Sequence, residues 1–193
     1  HDRHGGFSIV NNSTSGPLTR TVRDSAIALG VMSGYDFRAE YDTLTDYLGA
    51  LGKGVKGLKI GWTPDMGGNP VDPEVVQVTE KAARVFEDLG ATVETVDFSP
   101  SNYEEVFWTF LDYFTIKGLH SAKEDFDNNR ELLTEYFGEY MDRANELSAE
   151  RMWQILCDIG WYRKYVNDYF TKYDLLLSPT LAVPAFDIGK APD

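Results

Sequence analysis

A strand, a helix and a second strand follow one another in the first half of the chain, and this succession constrains the fold more than any other feature. Leu58–Trp62 is a short apolar run that predicts a strand. Asp72 followed by Pro73 is typical of a helix start, and Gly90 is typical of a helix end. Thr92–Phe98 alternates as a second strand. A crossover of this length predicts a right-handed parallel βαβ unit and an α/β fold. The expected apolar stripe of the helix comprises Val75, Val78, Ala82, Val85, Phe86 and Leu89.

A second local signature lies near the start of the chain. Thr21 is a typical N-cap, and Asp24, three residues later, completes a capping box. The residues that follow are apolar on nearly all sides, and Gly34 stands where a left-handed C-cap is expected. We therefore predict a short helix that is buried between layers.

Aromatic side chains are concentrated in residues 103–173, which hold 17 of the 26 in the chain. Apolar residues three and four apart predict three helices, over residues 104–120, 130–147 and 148–173. The first has a face formed by Phe107, Phe110 and Phe114. The last has an apolar or amphipathic stripe without a break, made of Met152, Ile155, Ile159, Tyr162, Val166, Tyr169 and Tyr173.

Most of these rings are expected in the core, because a helical layer on a sheet needs large apolar residues. Trp108, Tyr113 and Phe137 are candidates for the wall of an apolar pocket instead. After the helices, residues 174–177 predict a buried strand, which ends at Pro179 because proline cannot donate to a ladder.

Composition and charge narrow the class of protein. The chain has 193 residues, with 18 basic against 31 acidic side chains and a net charge of −13. This charge disfavours nucleic acids and anionic membranes as partners. No run approaches 18 apolar residues, and the single cysteine, Cys157, lies in an apolar helical pattern. We expect a cytoplasmic protein with a buried, reduced thiol.

No cofactor or metal is expected. The turn after the first strand lacks the glycine pattern of a dinucleotide site, and Lys53 lacks that of a phosphate-binding loop. His1 and His4 have no third residue at a spacing typical of metal ligands.

Three segments, in order, resemble the amidase signature family of serine amide hydrolases. They are GPLTRTVRDSA followed by a helix and GYD, then LKIGWTPD…PVDPEV…LGATVETVDF, then YDLLLSPTLAVPAF. The resemblance implies a partial amidase-signature fold, a mixed sheet with a βαβ unit covered by helices and an aromatic-rich helical layer. It implies one partial domain over residues 1–193. Its parts are residues 1–102 (capped helix and βαβ unit), 103–173 (helical layer) and 174–193 (strand and proline-rich tail).

The family's catalytic triad is a lysine, a serine in a cis peptide and a nucleophilic serine in a region rich in glycine and serine. This sequence contains no Gly-Gly-Ser run, no Gly-x-Ser-x-Gly elbow and no Ser-x-x-Lys pair. We therefore expect the middle-to-late portion of an amidase, supplying scaffold and the substrate-side wall but no catalytic residue. The isolated chain is expected to be inactive.

By position relative to the family pattern, Thr14, Ser15 and Thr180 are candidate substrate-binding residues, with hydrogen bonding in turns or caps as the alternative role. Arg20 and Asp24 match the family motif, and we assign them to capping and an ion pair. The expected partners are a small amide substrate in the full-length enzyme, and the missing amidase portions or a second copy of the chain.

Two alternatives to an amidase remain. The aromatic helices could form a complete small-molecule pocket in a binding module that is not an enzyme. The long stripe of the third helix could instead bind a partner chain in an interaction module.

Overall fold

The computed structural model describes residues 16–34, 45–101 and 103–187. The chain divides into two compact units, residues 1–55 and residues 56–193. The described part of the first unit contains α1 (Val22–Met32) and α2 (Tyr47–Ala50), which pack together.

The predicted start of α1 is confirmed and its predicted end is wrong. The Thr21 side chain accepts a hydrogen bond from the Asp24 amide at 3.1 Å. The C-cap is Ser33, in extended conformation, and its hydroxyl donates to the Leu29 carbonyl at 2.6 Å. Gly34 does not adopt a positive φ. A side-chain hydroxyl thus satisfies the end of the helix without a left-handed glycine.

The expectation that α1 is buried is also wrong. Ala26 is its one buried residue, whereas Val22, Val31 and Met32 are largely exposed. Apolar residues on all sides of a helix predict burial only if other polypeptide covers them, and no described residue does so here.

The second unit contains three strands and four α-helices in its described part. In chain order they are β1 (Lys59–Trp62), α3 (Pro73–Asp88), β2 (Thr92–Thr95), α4 (Tyr103–Asn128), a 3₁₀ turn (Arg130–Leu132), α5 (Glu135–Glu146), α6 (Ala149–Tyr169) and β3 (Leu175–Leu177). None of the helices in the described ranges is both long and apolar enough to cross a membrane.

The three strands form a parallel sheet with the order β2-β1-β3. Ile60 in the central strand is fully buried and lies opposite Val93 on one side and Leu175 on the other. The predicted βαβ unit and the α/β class are confirmed. The prediction that the last strand is buried is wrong at its start, since Leu175 is partly exposed at the edge of the described sheet.

The predicted boundaries of α3 are confirmed by their capping contacts. The Asp72 carboxylate accepts from the Glu74 amide at 2.7 Å, and Pro73 occupies the first turn. Gly90 has a φ of +91°, as expected of a residue that ends a helix.

The predicted stripe of α3 is only half right. Ala83 is buried and Phe86 is partly buried, whereas Val78, Val85 and Leu89 are more than half exposed. The helix therefore carries two apolar arcs, and only one of them faces the sheet.

In the helical layer, α4 is longer than predicted and α5 begins later. Gly118 lies within α4 and does not end it. A Cβ added at Gly118 would lie 3.3 Å from the terminal methyl of Met141, so the glycine lets α5 approach closely. Met141, Phe126 and Ala144 form a buried cluster between α4 and α5.

Helix α6 begins as predicted, because the Ser148 hydroxyl accepts from the Arg151 amide at 3.0 Å. It ends at Tyr169, four residues earlier than expected. Its apolar stripe packs inside the chain, with Ile155 fully buried, so the stripe is not available to a partner chain. The expectation that Cys157 is buried is wrong: the residue is exposed on the opposite side of the helix.

Candidate functional site

The carboxyl edge of the sheet is where loops from distant parts of the chain meet. The Thr63 amide donates to the Leu177 carbonyl at 3.0 Å, and the Asp72 amide donates to the Ala182 carbonyl at 2.8 Å. The loop after β1 is therefore held against the segment that contains Thr180. In open α/β sheets, ligands bind beyond the carboxyl ends of the strands.

The loop after β1 also packs on the loop after β2, and its backbone geometry makes this possible. Met66, Gly67 and Gly68 have φ values of +53°, +92° and +93°. A Cβ on Gly67 would lie 2.8 Å from both the Phe98 carbonyl oxygen and Ser99 Cα. Only a glycine fits this close approach of two backbones.

The loop after β2 is in turn fixed to α6. The Ser99 amide donates to the Tyr165 hydroxyl at 3.0 Å, and the Trp161 indole nitrogen donates to the Pro100 carbonyl at 3.1 Å. The Phe98 ring meets the Tyr165 ring edge to face, with centroids 5.2 Å apart. These contacts place one side of α6 beside the carboxyl edge of the sheet.

A cleft of about 610 Å³ opens between this loop, the start of α4 and α6, and we call it the α4–α6 cleft. This volume suits a small organic ligand. Its lining residues are Ser101, Glu104, Glu105, Trp108, Thr109, Arg151, Gln154, Asp158, Trp161 and Tyr162.

A buried carboxylate anchors the helices around the cleft. Asp112 is 1% exposed, and its two oxygens accept from Arg143 Nε at 2.7 Å and from Arg151 Nε at 2.8 Å. The pair of guanidinium groups compensates the desolvation of this carboxylate and ties α4, α5 and α6 together.

Asp158 continues the network into the cleft. Its carboxylate accepts from the Thr109 hydroxyl at 3.1 Å and from the Gln154 amide at 2.7 Å. Arg151 lies 3.9 Å from the same carboxylate. The polar floor of the cleft is therefore pre-organised before any ligand enters.

Tyr162 supplies a hydroxyl group to the same cleft. Burial raises the pKa of its phenol, and this outweighs the opposing effect of a hydrogen bond with Thr109. The phenol is therefore neutral at physiological pH, which suits it to hydrogen bonding with a ligand and not to proton abstraction.

Of the candidates predicted from the sequence, Thr180 is exposed in the segment after β3, at the carboxyl edge of the sheet. Thr14 and Ser15 lie outside the described residues. Trp108 does line the cleft, whereas Tyr113 is buried and Phe137 packs against the core cluster of α4 and α5. The last two are therefore core residues and not pocket walls in this structure.

Sequence reasoning missed the cleft residues of α6. Arg151, Gln154, Asp158 and Trp161 are spaced three, four and three residues apart. This spacing places them on one face of the helix and could have been noticed as a polar stripe beside the apolar one.

The arrangement is suited to binding and lacks the parts of a serine nucleophile. No lysine lines the cleft, and its one serine, Ser101, donates to the Glu105 carboxylate. Within the described ranges, no three His, Cys, Asp or Glu side chains are grouped so that they could hold a metal ion.

Comparison with protein families gives one match over nearly the whole chain. The family model described as Amidase matches residues 8–193. The acylamidase of Rhodococcus erythropolis is 33% identical over 189 residues, which cover 90% of this chain and 37% of that protein. A glutamyl-tRNA(Gln) amidotransferase polypeptide of Lactiplantibacillus plantarum is 29% identical, over 90% of this chain and 41% of that protein.

Comparison with solved structures agrees. A bacterial aryl acylamidase of the amidase signature enzyme family superposes with a TM-score of 0.79 and 32% identity, over 87% of this chain and 36% of that one. The chain thus spans about two fifths of the length of the relatives that it matches.

Proposed function

Because this chain belongs to the amidase family, we propose that it is part of an enzyme that hydrolyses carboxylic amide C–N bonds. Within one partial domain, its role is to supply scaffold and the substrate-side wall. The observation that carries the proposal is the family match over residues 8–193, which includes both the βαβ unit and the helical layer.

The geometry supports this role. The loops after all three strands converge at one edge of the sheet, and the α4–α6 cleft opens beside the loop that follows β2. Thr180 lies in one of these loops and is proposed as a substrate contact, together with Thr14 and Ser15. The serine and lysine chemistry that the family resemblance implies requires residues other than those lining the cleft.

An exchange experiment tests the role. The segment of the Rhodococcus erythropolis acylamidase that aligns with this chain is replaced by residues 1–193, and turnover of an amide that the acylamidase hydrolyses is measured. A folded chimaera should retain activity, whereas the isolated 193-residue chain should show none. A folded but inactive chimaera contradicts the proposed role, and turnover by the isolated chain contradicts the absence of catalytic residues.

A binding module without enzymatic activity is the second candidate, and the α4–α6 cleft is the observation that favours it. Its walls and polar floor come from described residues of this chain alone. In this case small molecules bind the isolated chain, and the chimaera has no turnover.

A further inference from the structure

The charges that line the α4–α6 cleft do not cancel. Three carboxylates, Glu104, Glu105 and Asp158, face one guanidinium, that of Arg151, which gives the lining a net charge of about −2 when fully ionised. Asp112 and Arg143, the other charged members of the buried network, add one charge of each sign and leave this balance unchanged.

The position of the two glutamates matters. Both lie in the first turn of α4, at the rim of the cleft. Glu104 makes no ion pair with any residue in the described ranges, and Glu105 accepts a hydrogen bond from the Ser101 hydroxyl, which holds its carboxylate at the rim. The net charge of −13 on the whole chain strengthens the negative potential at longer range.

Aromatic rings form the other part of the lining. Trp108 is 42% exposed and Trp161 is 53% exposed, so both offer ring surface to a ligand. The bond between the Trp161 indole and the Pro100 carbonyl fixes the orientation of that ring. The Arg143 guanidinium lies 4.5 Å from the centre of the Trp108 ring, so this ring already stabilises one cation.

We propose that the α4–α6 cleft binds an organic ammonium ion. Trp108 and Trp161 contact its apolar and cationic parts, and Glu104 and Glu105 supply the counter-charge. A neutral molecule of the same shape gains the aromatic contacts alone, and an anion is repelled. The inference is independent of the proposed amide hydrolysis, because it concerns binding and is measured without turnover.

The test compares three probes of similar size, benzylammonium, benzyl alcohol and benzoate, by calorimetry on the 193-residue chain at pH 7. Benzylammonium should bind about tenfold more tightly than benzyl alcohol, the size of an exposed cation–π contact combined with a screened ion pair. Benzoate should bind least. Equal affinity for benzylammonium and benzyl alcohol, or no binding of either, overturns the proposal.

A charge-neutral variant locates the site. Glu104→Gln combined with Glu105→Gln should weaken benzylammonium binding about tenfold and leave benzyl alcohol unchanged, because only the cation uses the counter-charge. The matched control is Glu131→Gln combined with Glu135→Gln, which removes the same charge from exposed positions outside the cleft. Equal losses in both variants would mean that only the overall charge attracts the probe, and would contradict the cleft.

A tryptophan pair tests the walls. Indole N–H signals in nitrogen-labelled protein should shift for Trp108 and Trp161 on addition of benzylammonium, and should not shift for Trp153, which is exposed outside the cleft. Trp161→Leu should weaken binding at least about fivefold, and Trp153→Leu should not, with circular dichroism confirming that both variants fold. Shifts confined to Trp153 would overturn the assignment.

Discussion

The sheet and the helical layer of the second unit bury different kinds of residue. Around the sheet the buried side chains include Ile60, Trp62 and Val93, which are apolar. In the middle of α4 they include Thr109, Asp112 and Thr115, which are polar. Three phenylalanines of α4 are meanwhile about half exposed, namely Phe107, Phe110 and Phe114.

The difference shows that hydrophobicity alone does not orient a helix. A polar residue can be buried at small cost when each of its polar atoms has a partner, and Asp112 has two guanidinium groups. Once α5 and α6 provide these partners, the opposite face of α4 turns outward even though it is aromatic. The strands contribute no such network, so their apolar pattern decides their orientation.

The largest expected effect is on the buried carboxylate. Asp112→Ala should reduce the free energy of unfolding by about 3 kcal/mol, because it leaves two arginines without their shared partner. Urea denaturation followed by circular dichroism measures the change. Asp142→Ala is the matched control, since it removes an exposed carboxylate paired with Arg130 and should have no measurable effect. Equal stability of the two variants would contradict the importance of the network.

The α/β part was predictable from the sequence because its signals are local. A cap at Asp72, a proline after it and a glycine at position 90 bound α3 whatever surrounds it. The orientation of the helix was harder to predict. Val78, Val85 and Leu89 form an apolar arc as regular as the buried one, and only tertiary contacts decide which arc faces the sheet.

The helical layer and the cleft were less predictable for a related reason. The stripe of α6 was predicted correctly because one apolar face dominates that helix. Arg151 and Asp158 belong to the same helix, yet charged residues on a helix are usually solvated, and their contacts with α4 depend on residues about 40 and 50 positions away. Trp108 was a correct candidate because large rings beyond the needs of a core often line pockets.

A smaller effect is expected in the loops at the carboxyl edge of the sheet. Gly67→Ala should cost about 2 kcal/mol, because its φ is positive and its new methyl group would collide with the backbone of Phe98 and Ser99. Gly68→Ala has nearly the same φ but open space around the site, and it should cost about 1 kcal/mol. Denaturation midpoints measure both. A larger loss for Gly68→Ala would contradict the packing of the two loops.

Tyr169 joins the two regions, and its titration should report on that contact. Its hydroxyl donates to the Leu175 carbonyl at 3.2 Å, and burial raises the pKa of its phenol to about 12. Between pH 10 and 12 the phenol ionises in the unfolded chain before it does in the folded chain. Stability should therefore fall as pH rises through this window. Tyr169→Phe should show a shallower fall in the same denaturation series, and identical slopes would contradict the burial of this phenol.

The smallest expected effect is on the exposed aromatic face of α4. Phe110→Ser should change the free energy of unfolding by less than about 0.5 kcal/mol, because the ring is already half exposed. Leu111→Ser, one position along on the buried side, should cost at least about 2 kcal/mol. The hydrophobic pattern of α4 alone would suggest a large loss at Phe110. A large loss there and a small one at Leu111 would mean that α4 is rotated, that Asp112 does not lie beneath it, and that the α4–α6 cleft has a different floor.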